Sequence, residues 1–429
     1  METSERAASP GAAACCICPF CGLLCDDVSV EDRAGTLQVV ARGCELSRSG
    51  FERATRPADD SALIEGRPVP SIEAIAAAAG ILRRSSRPLF GSIATDVAGA
   101  RAALALADHC GAVVDHVNSP AKFRNLLAFQ DRGWISTTLA EVRNRAELVV
   151  VVGDSIGRRF PRLFERVLVP GPTLFAVDTP RRIVQLGQRD PGPSVPVNER
   201  IPVATAALPD ALAALSALVA GRPVDDAALQ AQGLPAAALR ELAASMAAVR
   251  YGVVCWAAPD LDFDHAELTV LAISRMLTTL NERTRFAALP LGGNDADFTA
   301  DAVLLWQTGF PFRTDFSTGE PRYDPLLHDG RRMLANGEAD ALLWIASLER
   351  DSPPEAGVPT ILLGGADDPA AQRCDVFLPV GTPGVDHGAH LLRTDKVVSM
   401  RLRPARPSSR PTVAATLGAI LAAMAAEGA

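Results

Sequence analysis

The chain has 429 residues, more than one hydrophobic core ordinarily supports, so two or three domains are expected. Apolar residues make up 48% and charged residues 21%, as in an ordinary globular protein, and a formal charge of −8 speaks against nucleic-acid or membrane-surface binding. No apolar run reaches the roughly 18–20 residues that a membrane-spanning helix needs, and residues 1–14 lack the apolar stretch of a secretory signal. Nine cysteines, four of them in ligand spacing, fit a reducing, cytoplasmic compartment.

Residues 1–14 read as a disordered leader, poor in apolar side chains and rich in Ala, Ser and Gly. Residues 15–55 form a small four-cysteine domain. Its loop runs Cys18-Pro19-Phe20-Cys21-Gly22-Leu23-Leu24-Cys25, and Cys44 follows after an eighteen-residue gap. Three thiolates from one tight loop and a fourth from a later turn can hold a [4Fe–4S] cluster or a tetrahedral zinc. Buried structural cysteines are the plainer alternative. Short strands are expected near 28–30 and 37–40, with Cys44 opening a helix. A linker rich in Pro and Asp (56–60) leads to an alanine-rich helix at 71–82, with Ser71 as its N-cap.

From residue 88 onward, strands alternate with helices. Strands are expected at 88–93, 112–115, 146–152 and 173–177, with helices at 96–109 and 121–131. The unbroken run Leu148–Val152 reads as a strand buried on both faces, as in a parallel sheet. The Pro- and Gly-bearing stretch 185–197 reads as an exposed connection. Helices follow at 208–220, 225–233 and 235–246. A second series has strands at 251–256, 285–289, 303–306, 341–346, 360–363 and 376–378, and a helix at 265–280. The alternation argues for doubly wound, Rossmann-like α/β domains with mostly parallel sheets, divided as 56–250 and 251–429. In such sheets ligands sit beyond the carboxyl ends of strands.

Neither a G-x-G-x-x-G turn nor a Walker A sequence is present, so dinucleotide and triphosphate binding are not indicated. Gly153-Asp154-Ser155-Ile156-Gly157 reads as a strand-to-helix turn, and His387-Gly388-Ala389-His390 as a surface loop. One further segment is unusual. Trp306-Gln307-Thr308-Gly309-Phe310-Pro311-Phe312-Arg313-Thr314-Asp315-Phe316-Ser317 gathers aromatics, an amide, an arginine and a carboxylate. Two readings stand side by side: a core loop stapled by Arg–Asp pairs, or a pocket or subunit interface with Arg and aromatic anchors.

With the cysteine loop and this segment in view, the chain resembles the B subunit of formylmethanofuran dehydrogenase, a family of the molybdopterin oxidoreductase superfamily. The resemblance also takes in Gln130-Asp131-Arg132-Gly133, the stretch 306–325 and the stretch 374–380. It implies a molybdopterin-oxidoreductase-like fold and a [4Fe–4S] cluster on Cys18, Cys21, Cys25 and Cys44, close to a molybdenum- or tungsten-bound pterin. Redox members of that family carry a metal-binding Cys (or selenocysteine) followed by His, about nine residues before the Gln-Asp-x-Gly segment. Here the gapless count reaches Ala121-Lys122. Alanine offers no lone pair to a metal, and lysine is a cation without an acceptor.

That combination resembles the B subunits of the formyltransferase/hydrolase complexes of methylotrophic bacteria. The resemblance implies a structural, non-redox subunit with no catalytic residue of its own and with the molybdopterin or tungstopterin lost. The complex would convert formyl-tetrahydromethanopterin to formate by way of methylofuran in one-carbon metabolism. Its other members would be a formyltransferase subunit, an amidohydrolase-like hydrolase subunit and a glutamate-synthase-like C subunit. The alternative is the redox-active B subunit of a molybdenum or tungsten formylmethanofuran dehydrogenase. Lys122, Arg124 and Arg313 are the candidates for an anion site facing the acidic tail of the furan carrier.

Overall fold

The computed structural model describes residues 13–56, 59–168, 172–175, 180–189, 196–348 and 352–426. The chain divides into two compact units, one formed by Met1–Ser119 with Gly293–Ala429 and the other by Pro120–Gly292. This replaces the expected division at residue 250. The nine-stranded sheet of the first unit draws strands from both ends of the chain, pairing Pro88–Ala94 in parallel with Ala341–Ala346. The second unit is therefore an insertion between them. Local pattern reports that a segment is a strand, whereas its neighbour in the sheet is chosen by long-range packing.

The first unit opens with an antiparallel sheet of Ala14–Cys16, Val28–Arg33 and Thr36–Ala41, backed by the helix Glu45–Thr55. Ala14 is already in a strand, so the leader ends sooner than residue 14; residues 1–12 lie outside the described ones. Gly50 in that helix is a packing requirement: a Cβ there would stand 2.4 Å from the Phe20 ring, which also meets Phe51 edge-on at 5.1 Å. The cysteine loop is thus seated on its own helix.

The large sheet has a parallel core of Val113–Val114, Pro88–Ala94, Ala341–Ala346, Thr360–Gly364 and Val376–Pro379, in that spatial order. Antiparallel additions cover both edges: Thr314–Asp315 and Arg322–Tyr323 on one side, Ala62–Ile64 and Arg67–Val69 on the other. Every residue of the three strands 88–94, 341–346 and 360–364 is buried, Ser92 and Thr360 included, as expected for strands at the centre of a parallel sheet. The helix Val413–Ala426, not anticipated above, packs against Val97–Cys110 and Ser71–Arg84. Ser71 is the first helical residue and Pro70 occupies the cap position.

The second unit is a five-stranded, wholly parallel sheet in the order Glu199–Ile201, Arg182–Leu186, Leu148–Val152, Tyr251–Ala257, Arg285–Leu291. The order reverses beside Leu148–Val152, the doubly wound topology expected. The helices Leu208–Val219, Ala236–Ala248 and Ala266–Leu280 pack together on it. Two expectations change here. Arg182–Leu186 is a buried strand where an exposed connection was expected from 185. Thr173, Leu174 and Phe175 are not in a strand, and the rest of the strand expected at 173–177 lies outside the described residues.

Arg181 shows what compensates the end of a helix inside this unit. Its guanidinium donates to the carbonyls of Val142 and Arg143, in the last turn of Leu139–Arg145, and to those of Ala146, Val167 and Leu168. Terminal helix carbonyls have no intrahelical donor, and a cation there also matches the helix dipole. Burial lowers its pKa to about 10, which still leaves it charged at neutral pH.

Candidate functional site

The cysteine loop closes on itself. Cys18 N–H donates to Cys25 C=O at 2.9 Å, and Leu24 N–H donates to Cys21 C=O at 3.1 Å with Leu24 in the left-handed region at φ 46°. Cys18, Cys21 and Cys25 are buried, while Cys44 is half-buried at the N-terminus of Glu45–Thr55, where its N–H donates to Ser47 Oγ.

The four sulfurs feel one another. Burial pushes the Cys18 thiol well above its ordinary range, and charge on Cys21, Cys25 or Cys44 raises it further. Burial likewise pushes Cys21 up to about 12, again with Cys25 and Cys44 adding to the effect. A buried set of mutually repelling thiols needs a cation to become thiolate, which is the donor chemistry of a metal centre. Among the described residues, no group of three or more Cys, His, Asp or Glu side chains is drawn together as a single metal ion's ligand shell. One zinc would require every sulfur at about 2.3 Å from one point. In a cubane cluster each sulfur binds a different iron, so its ligand set stands wider.

A strained turn carries this loop. Gly293, Asp295 and Ala296 have φ of 87°, 54° and 53°, and the helix Asp297–Thr308 follows directly. Non-glycine residues in that region cost about 1–2 kcal/mol each. Asn294 Oδ1 accepts from Gly22 N–H at 3.2 Å, and Thr394 N–H donates to Gly22 C=O at 2.7 Å. Asn118 Nδ2 donates to Asn294 C=O at 3.2 Å and to Asp295 Oδ2 at 2.9 Å. None of these partners was visible from motif spacing; only the unexplained polar run around 293–297 hinted at them.

Ala121 and Lys122 lie in the first turns of the helix Ser119–Asp131, which runs unbroken to Gln130 and Asp131 and ends near Gly133 at φ 69°. The count back from that segment therefore crosses no bulge or loop. Lys122 is buried. Arg124 donates to Ala258 C=O at 2.8 Å and pairs with Asp262.

Arg313 belongs to the first unit and is already engaged there. It is buried in the left-handed region at φ 67°, pairs with Asp329, donates to Pro325 C=O, and stands 3.8 Å from Asp115 Oδ2. A cation already facing two carboxylates has little attraction left for a carrier's acidic tail. Of the two readings of the 306–317 segment, the stapled loop holds for its second half. Its start, Trp306, was read as the end of a strand at 303–306 with a loop following. Trp306, Gln307 and Thr308 are instead the end of the helix Asp297–Thr308, closed by Gly309 at φ 78°. There Trp306 is 64% exposed and Phe310 stacks on Tyr323.

The remaining candidates carry no chemistry. His390 sits in the strand Ala389–Leu392 and faces Arg401 across a hairpin. A groove of about 440 Å³ is lined by Pro353, Val358, Thr360, Arg373, Cys374 and Asp375. These residues precede or begin strands, so the groove lies at the amino edge of the parallel sheet, opposite to where such folds bind ligands. Among the described residues, no helix is long and apolar enough to cross a membrane.

Comparison with known proteins fits this geometry. No family model matches the chain. Acetylene hydratase from Pelobacter acetylenicus superposes with a TM-score of 0.63 over 96% of this chain and 69% of its own, at 12% identity. The fold is that of the molybdopterin oxidoreductases. Within that class the similarity is specific. The chain is 29% identical to the B subunit of the formyltransferase/hydrolase complex Fhc of Methylorubrum extorquens over 367 residues, 84% of this chain and 96% of the relative. A crystal structure of the FhcABCD complex with methylofuran, from the same organism, contains a chain matching with a TM-score of 0.75 at 28% identity. The match covers 86% of this chain and 99% of that one. The B subunit of tungsten-containing formylmethanofuran dehydrogenase 2 of Methanocaldococcus jannaschii is 26% identical over 399 residues, 89% of this chain and 91% of the relative. The resemblance carried by the cysteine loop and the 306–317 segment holds: this chain is similar, over most of its length, to B subunits of both kinds.

Proposed function

We propose that this chain is the structural, non-redox B subunit of a cytoplasmic formyltransferase/hydrolase complex, which passes a formyl group from formyl-tetrahydromethanopterin to methylofuran and releases formate. Its partners would be the formyltransferase, amidohydrolase-like and glutamate-synthase-like subunits. The similarity to the Fhc B subunit and to a chain of the methylofuran complex supports this reading.

The observation that carries it is Ala121-Lys122 on an unbroken helix, where a redox relative would present a thiolate and an imidazole. Other thiols do not take the place of that ligand. Burial pushes Cys110 up to about 12, Cys374 to about 11, and Cys255, inside the strand Tyr251–Ala257, higher still. Each is a single thiol with no other cysteine near it in the sequence, unlike Cys18, Cys21, Cys25 and Cys44.

Cys18, Cys21, Cys25 and Cys44 would hold a [4Fe–4S] cluster. Such a cluster supplies one-electron transfer where a redox partner is in reach, and here its contribution would be to tie the loop to the helix Glu45–Thr55. Lys122 and Arg124 are the cations that would face the carrier's acidic tail.

The test is elemental analysis for Fe, W, Mo and Zn, with acid-labile sulfide, on the anaerobically purified complex. Absence of W and Mo with no viologen-dye reduction by a formyl-furan substrate is expected. Near-stoichiometric W or Mo, with dye reduction, would overturn the reading in favour of a redox dehydrogenase.

A further inference from the structure

We infer that Asn294, held in the strained turn 293–296, is a positioning residue for the four-cysteine site, and that Asn118 braces that turn from the segment leading into Ala121-Lys122. The inference rests on the reading that the four cysteines hold a cluster or metal.

Gly22 stands between Cys21 and Cys25, so its peptide groups set where those sulfurs point. Both groups are held from outside the loop, the N–H by Asn294 Oδ1 at 3.2 Å and the C=O by Thr394 N–H at 2.7 Å. There is no slack in this seat: a Cβ at Gly293 would stand 3.2 Å from Gly22 Cα. The turn that presents Asn294 includes two non-glycine residues in the left-handed region, Asp295 and Ala296. Backbone of that kind persists only where surrounding contacts over-determine it. Those contacts come from Asp297 Oδ1, which accepts from Gly293 N–H at 2.8 Å, and from the two hydrogen bonds that Asn118 Nδ2 donates. A further left-handed residue, Lys396 at φ 60°, comes two positions after Thr394 and lays its ammonium 4.1 Å from the Phe298 ring centroid.

The choice of side chain also fits. An asparagine oxygen accepts from the loop amide without adding charge beside four thiolates, which an aspartate would do. Loss of a group that orients metal ligands without itself binding the metal typically costs about 10–100-fold in metal affinity.

The experiment uses the full-length chain purified anaerobically with its partner subunits, as wild type, Asn294→Ala, Asn294→Asp and Asn118→Ala, each reconstituted with iron and sulfide. A ferrous chelator is then added and the charge-transfer absorbance followed. Asn294→Ala is expected to lose iron about tenfold faster than wild type. Asn118→Ala should show a smaller change in the same direction, and Asn294→Asp, which keeps the acceptor but adds charge, should fall between wild type and Asn294→Ala. Equal loss rates for wild type, Asn294→Ala and Asn118→Ala would overturn the inference. If Asn294→Ala does not fold, Asn118→Ala decides alone, and an unchanged rate counts against it.

If wild type takes up neither iron nor zinc, the cluster reading fails, and alkylation of the metal-free thiols, read by mass spectrometry, decides the positioning role separately. Faster modification of Cys18, Cys21 and Cys25 in Asn294→Ala or Asn118→Ala supports it, and equal rates in both overturn it.

Discussion

Arg313 Nε stands 3.8 Å from Asp115 Oδ2 while its Nη2 pairs with Asp329, so one buried guanidinium serves two carboxylates brought from distant parts of the chain. Around it, His328 Nδ1 lies 3.2 Å from the Arg313 carbonyl and Arg87 pairs with Asp315 at 3.2 Å. The network pins the stretch that follows Pro311 to the edge of the large sheet, where Thr314–Asp315 pairs with Val113–Val114.

Removing the cation should therefore leave buried carboxylates uncompensated. Arg313→Met is expected to destabilise the chain by about 3–5 kcal/mol, the range for breaking a buried pair from one side. Urea denaturation measures it. An unshifted midpoint accompanied by weaker carrier binding would return Arg313 to the anion site.

Asp115 adds a pH dependence of known sign. Burial raises its carboxyl from the ordinary 3.8 to about 6, against the opposing pull of Arg313 and of hydrogen bonds from Ser119, Gly330 and His116. The folded chain thus binds this proton more tightly than the unfolded one. The associated stability is complete below 3.8 and is lost as pH rises through about 6. Denaturation across that window should show a decline of about 3 kcal/mol that Asp115→Asn abolishes. Asp324 acts in the opposite window: N–H donors from Leu327 and Leu326 lower its pKa, so its contribution is lost as pH falls below 3.8. A wild-type curve as flat as the variant's would contradict the assignment to Asp115.

Lys122 is one of only two lysines in the chain and is buried on the helix Ser119–Asp131. In the assembled complex, Lys122→Gln should raise KM for the furan-linked substrate roughly tenfold, the worth of one charged hydrogen bond, and leave kcat in place. Unchanged kinetics with an intact complex would remove Lys122 from the carrier path.

Three large apolar side chains of the first unit are exposed near the 306–317 segment in sequence. Trp306 is 64% exposed, Leu326 71% and Leu327 58%. Trp306→Ala with Leu326→Ser should leave the isolated chain within about 0.5 kcal/mol of wild type but weaken assembly by about 2 kcal/mol or more. Co-purification of the partners and sedimentation would report the difference. A complex of undiminished stability would show that partners dock elsewhere.

Much of this was readable in advance, wherever the information is local. The cysteine spacing, the capping of Glu45–Thr55 by Cys44, and the buried runs Leu148–Val152 and Ala341–Ala346 each follow from residues a few positions apart. The segment 303–306 was not readable. Four apolar residues are as compatible with a strand as with a helix, and the choice was made by the left-handed turn before Asp297 and by Gly309 after Thr308. Arg182–Leu186 was masked by its flanking glycines and prolines, although a central partner, Leu148–Val152, was waiting for it.

By itself the sequence determined the cysteine spacing, the α/β alternation and the position of Ala121-Lys122 nine residues before Gln130-Asp131, because spacing along a loop or helix is a short-range property of the backbone. Only the tertiary structure decided that Pro88–Ala94 pairs with Ala341–Ala346 across an inserted unit. It also decided that Arg313 is spent on Asp115 and Asp329, and that Asn294 and Thr394 hold Gly22. Those pairings join residues far apart in the chain, and which of many charges, amides or strands meet is settled by burying the whole core at once.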